Sequence, residues 1–133
     1  MKKLTILFVV VLLIASVTGC SKDISSTDLG QELVALTKGA VQCVNEREYG
    51  GFRAYIREDL RPQFSDEVMQ GVEEYISAAG DFIEFGQTKV VPQKSGDGEE
   101  SYAVVLEVKY ESKELIYTAA LDSQKEITGF YVK

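Results

Sequence analysis

An α+β domain follows from the sequence, with N-terminal helices packed on one face of a curved four-stranded antiparallel sheet. Apolar residues recur at three- and four-residue spacing in the first half of the domain and at two-residue spacing in the second. The connections between the second-half segments are too short for the long crossovers that parallel strands need. Helices first and strands second segregate into an α+β arrangement rather than alternating layers.

The elements follow in order. Leu29, Leu33, Leu36, Ala40, Val41 and Val44 predict an amphipathic helix from Asp28 to about Glu46. Tyr49-Gly50-Gly51 reads as a break and hinge, without the Lys of a phosphate-binding loop. Phe52, Tyr55 and Ile56 predict a short second helix ending near Arg61-Pro62, because the residue before proline avoids the α region. Ser65 is an N-cap for a third helix, with Asp66 and Glu67 in its first turn. Val68, Val72, Tyr75, Ile76 and Ala79 form its expected buried stripe, and Gly80 its C-terminal stop.

Residues 82–91 predict a strand closed by Pro92, followed by a polar hairpin loop over residues 94–100. Tyr102, Val104, Leu106 and Val108 alternate with Ala103, Val105, Glu107 and Lys109. Leu115, Tyr117, Ala119 and Leu121 repeat that alternation opposite Ile116 and Thr118, and Ile127 to Val132 forms the last strand.

Ahead of this domain lies an address. Lys2 and Lys3 precede an apolar run from Leu4 to Ala15, the length of a signal-peptide core and short of the roughly 20 residues of a membrane span. The following Val17-Thr18-Gly19-Cys20 resembles the prokaryotic lipobox, with Val17 where Leu is commoner. That resemblance implies cleavage between Gly19 and Cys20 and a thioether-linked lipid on Cys20. The expected organisation is a signal peptide over 1–19, a lipidated Cys and flexible tether over 20–27, and one domain over 28–133. More than one acyl chain makes such an anchor stable, at about 0.8 kcal/mol per buried methylene. The expected location is the extracytoplasmic face of the cell membrane.

Composition narrows the function. The chain of 133 residues has 14 Lys+Arg, 21 Asp+Glu and no His, which removes His-based nucleophile systems and His-ligated metals. Loss of Lys2 and Lys3 with the signal leaves 12 basic against 21 acidic groups, a net charge of −9. That balance opposes binding to nucleic-acid backbones or anionic headgroups by electrostatics, so the lipid and not the surface charge must hold the chain to the membrane. No metal or cofactor is expected. Asp97, Glu99 and Glu100 lack the alternating ligand pattern of a calcium loop and read as a solvated hairpin tip. Asn45-Glu46-Arg47-Glu48 reads as an exposed helix end, and Cys43 as a small apolar residue beside the first helix's stripe.

Phe64-Ser65-Asp66-Glu67-Val68, the stretch from Tyr75 through Gly80-Asp81-Phe82, and the ending from Leu121-Asp122 to Ile127-Thr128-Gly129-Phe130 carry a further resemblance. Together with the element order they resemble the cone-shaped nuclear-transport-factor-2-like superfamily. More narrowly, they resemble a small family of prokaryotic extracytoplasmic domains of unknown function, over about residues 34–133. Such domains tend to carry Gly-Lys before the final Ile, where this chain has Lys125-Glu126, so its turn must form without glycine. The resemblance implies a pocket between sheet and helices but brings no catalytic set. Tyr75, Tyr102 and Tyr117 are the candidate pocket residues. Asp81, Glu84 and Glu107 are candidate bases and Tyr102, Tyr110 and Tyr117 candidate proton donors, although no spacing singles out a pair. The expected function is a lipid-anchored, non-catalytic domain binding a small apolar ligand or a protein partner. Two alternatives are a proton-transfer or elimination enzyme in the same pocket and a module that forms a homodimer through its sheet.

Overall fold

The computed structural model describes residues 22–94 and 98–133. The expected signal peptide, Gly19, Cys20 and the hairpin tip at 95–97 lie outside them. Helix α1 spans Asp28–Asn45. The Thr27 side chain caps it, accepting a hydrogen bond from the Gly30 N–H, while its hydroxyl donates to the Ile24 carbonyl at 2.7 Å. Leu33, Val34, Ala40, Val41 and Val44 form the buried stripe. Thr37 lies within it with its hydroxyl satisfied by the Leu33 carbonyl.

The break after α1 falls earlier than the glycine pair suggested. Arg47 adopts a positive φ of 60°, and α2 (Tyr49–Ala54) takes Gly50 and Gly51 into its own first turns. The short second helix does not run on to Arg61. A 3₁₀ helix over Glu58–Phe64 follows instead and contains Pro62, whose fixed φ suits that geometry. Helix α3 (Asp66–Ser77) starts at Ser65, whose side chain accepts from the Val68 N–H. Its buried contacts are Met69 and Ile76, not Tyr75, whose ring lies outward with the Lys113 ammonium 5.6 Å from its centroid. Gly80 turns the chain out of the helix at φ 91°.

The sheet is open, in the order β1-β2-β3-β4, with β1 at Phe82–Lys94, β2 at Glu100–Tyr110, β3 at Glu114–Asp122 and β4 at Ile127–Val132. All neighbours are antiparallel. Pro92 does not close β1 but lies inside it. Val90 turns both its N–H and its carbonyl away from β2, towards Asp23 and Ile24. Two residues on, Pro92 shares that outward phase, so its missing N–H removes no ladder bond from this edge strand.

Leu106 pairs with Tyr117, Val104 with Ala119 and Val108 with Leu115, so the expected alternating faces hold. These residues are buried beneath the helices with Leu33, Val41 and Phe52. Phe52 meets Phe64 and Phe130 edge to face at centroid distances of 5.7 and 4.9 Å. The last turn forms without glycine because Asp122 Oδ1 accepts from the Gln124 and Glu126 N–H groups, both at 2.9 Å. Lys125 takes the positive φ, at 66°.

The stretch expected to be a flexible tether is bound from Asp23 onward. The Ile24 N–H donates to the Val90 carbonyl at 2.8 Å, and Asp23 Oδ1 accepts from the Val90 N–H at 2.9 Å. Ile24 packs against the core, and its carbonyl lies so close over Gly30 that no Cβ fits there. The folded unit therefore reaches back to Asp23.

Candidate functional site

Among the described residues, buried side chains of the helices and of the middle of the sheet pack into one core. Tyr117, in the middle of β3, is fully buried. Its hydroxyl meets that of Tyr110, the last residue of β2, at 2.6 Å. The Tyr110 hydroxyl donates to Oδ1 of Asn45, the last residue of α1, at 2.7 Å. Burial pushes both phenols above their ordinary titration range, so they stay protonated and act as a fixed hydrogen-bond chain.

That chain ends at a cleft of about 320 Å³ between the end of α1, α3 and the start of β1. Asn45, Tyr110, Ile76 and Phe82 line it, together with Arg47, Glu73, Ser77 and Asp81. The left-handed turn at Arg47 sets its guanidinium against Glu73 Oε2 in an ion pair. The Tyr49 hydroxyl donates to Glu73 Oε1 at 2.8 Å, so that carboxylate is held on both oxygens. Asn45 Nδ2 is buried and has no hydrogen-bond partner. A buried unmet donor costs on the order of 1–3 kcal/mol.

The three candidate tyrosines do not converge. Tyr75 is 38% exposed on α3, and Tyr102 is half-buried opposite Leu121. Tyr117 lies four β2 positions from Tyr102, opposite Leu106. Of the candidate bases, Asp81 lines the cleft, Glu84 approaches Lys109 at 3.6 Å, and Glu107 lies on the outer face beside Gly86. Cys43 is half-buried. Burial, then Glu48 and Glu46, push its thiol up, away from the reactive thiolate. Among the described residues no group of three acidic or sulfur side chains could hold a metal. No helix among them is long and apolar enough to cross a membrane.

Sequence reasoning passed over Asn45, Arg47 and Glu73. Asn45 and Tyr110 are 65 positions apart, and a polar run at a helix end carries no local signal that its first residue turns inward.

A family model described as a protein of unknown function (DUF3887) matches residues 39–130. No curated protein matches the chain. An NMR structure of a protein from Ruminococcus gnavus ATCC 29149 is similar at a TM-score of 0.69 and 20% identity. The match covers 75% of this chain and 87% of that one. A likeness at that identity speaks for the fold alone.

Proposed function

We propose that this chain, which belongs to the DUF3887 family of unknown function, is a lipid-anchored extracytoplasmic protein whose domain binds a small polar ligand without transforming it. The anchor rests on the basic start, the apolar run and Val17-Thr18-Gly19-Cys20. The element order supports the resemblance to cone-shaped domains, with the middle of the sheet packed against the helices. An apolar ligand would have to displace core side chains, so the polar cleft at Asn45 is the better site.

The observation that carries the binding role is Asn45 Nδ2, a buried donor without a partner beside a cleft whose other polar groups are largely committed. A carbonyl, carboxylate or hydroxyl oxygen is its natural complement. The tyrosine hydroxyls donate within their own chain and stay protonated, and Glu73 is paired, which favours holding a ligand over moving a proton.

Native mass spectrometry of the mature protein from its host membrane tests both halves. A thioether-linked lipid on Cys20 and a small ligand lost in Asn45→Leu are the expected results. An unmodified Cys20 overturns the anchor, and an unchanged ligand in Asn45→Leu overturns the site.

A further inference from the structure

We infer that the lipid-anchored protein lies flush on the bilayer, with the β1 edge around Val90 against the headgroups and the Asn45 cleft facing away. This rests on the Cys20 anchor proposed above. Its own ground is how early the chain becomes fixed. Asp23 Oδ1 accepts from the N–H groups of Val90 and Ser25, each at 2.9 Å, and the Ile24 N–H donates to the Val90 carbonyl at 2.8 Å. The Ile24 carbonyl also covers Gly30. Cys20 precedes Asp23 by three residues, so even a fully extended link reaches at most about 10 Å. The headgroup layer on one side of a bilayer is itself about 5–8 Å deep. A lipid buried at Cys20 therefore leaves no room for the domain to stand off.

Two rigid elements then carry the cleft away from the anchor. Helix α1 begins beside the Asp23–Thr27 strap and ends at Asn45 after 18 residues, a length of about 27 Å. Strand β1 runs from Val90, at the strap, back to Phe82, in the cleft, a distance of about 25 Å despite its bulges. Both start at the clamp and finish at the same cleft.

The charge distribution agrees. Lys22, Lys89 and Lys94 are exposed close to the clamp or along β1. Helix α3, which ends at the cleft, instead carries Asp66, Glu67, Glu73 and Glu74 and no basic residue. With Lys22, Lys89 and Lys94 near the anchor and the acidic α3 towards the cleft, a chain of net negative charge meets anionic headgroups with less repulsion than it would cleft-first.

The test uses the full lipidated protein in vesicles of equal parts phosphatidylethanolamine and phosphatidylglycerol, with a nitroxide-headgroup lipid as quencher. In a Cys43→Ala background, a fluorophore is placed at Lys89→Cys or at Ser77→Cys. Quenching several-fold stronger at position 89 than at 77 is expected. A Gly-Ser linker of about a dozen residues inserted between Lys22 and Asp23, long enough to exceed the headgroup layer, should erase the difference. Equal quenching at the two positions in protein whose intact mass includes the lipid overturns the orientation alone. A difference that survives the linker overturns the short-link argument. An intact mass without lipid overturns the anchor and the orientation together.

Discussion

Tyr110 and Tyr117 lie on adjacent strands and meet hydroxyl to hydroxyl at 2.6 Å inside the core. The direction of that bond follows from proton counting. Tyr110 gives its one proton to the Asn45 amide oxygen, so Tyr117 must be the donor to Tyr110.

Removing the two hydroxyls should therefore cost different amounts. Tyr117→Phe deletes the head of the chain and leaves Tyr110 still donating, at about 1 kcal/mol. Tyr110→Phe strands both the Tyr117 proton and the Asn45 oxygen, at about 2–4 kcal/mol. Urea unfolding of the soluble domain measures both, and equal costs would contradict the ordering.

The same pair sets the alkaline limit. Burial raises the folded phenol values above the unfolded one, which lies near 10. Their contribution is complete below that value and is lost as pH rises beyond it towards the folded values. Unfolding midpoints should fall progressively above about pH 10, and less steeply in Tyr117→Phe than in the parent.

Glycines on the two long helices should respond with opposite signs. A methyl at Gly30 meets the Ile24 carbonyl, so Gly30→Ala must displace the strap, and overpacking of this kind costs about 1–3 kcal/mol. Gly71, inside α3, has open space around a built Cβ, so Gly71→Ala should stabilise by about 0.5–1 kcal/mol. Paired thermal melts decide it, and a harmless Gly30→Ala would mean the strap is not seated as described.

Leu106 and Lys109 test the sheet faces. Leu106 is fully buried, whereas Lys109 is exposed and 3.6 Å from Glu84. Leu106→Ala should cost about 2–5 kcal/mol and Lys109→Ala less than about 0.5 kcal/mol. Similar small losses at both positions would place the Leu106 face towards solvent or a partner.

What was legible in the sequence were the features with a local cause. Ser65 caps because its side chain reaches Val68 three residues on, and Leu106 and Tyr117 are buried because strand side chains alternate. Features decided by distant neighbours were not legible. Glycine propensity suggested a break at Gly50-Gly51, yet the chain turns at Arg47, where its guanidinium meets Glu73 across 26 positions. Tyr75 fits the apolar stripe of α3, but Met69 and Ile76 supply the buried contacts and leave that ring to Lys113. The strap looks polar and therefore free, because Asp23 gains its role only from Val90, 67 positions away. The cleft is built wholly from such pairings, which is why Tyr117 was visible as a tyrosine but not as the buried end of a chain leading to Asn45.

Acid should release the strap. The Val90 N–H foremost, then the Ser25 N–H, hold the Asp23 carboxyl below its ordinary value, with Lys89 adding a smaller pull. The folded value is therefore depressed, so this carboxylate's contribution is present above the unfolded value near 3.9 and lost as pH falls through the folded one. Between neutrality and about pH 5 the clamp should not change. Below about pH 4 the Val90 amide should lose hydrogen-exchange protection, corrected for the intrinsic rate, before the central strand around Leu106 does. Asp23→Asn keeps an acceptor oxygen but not the charge, so it should bind more weakly at neutral pH and lose the acid dependence. Protection at Val90 that fell in step with Leu106, or an acid response unchanged in Asp23→Asn, would mean that the carboxylate does not hold the strap.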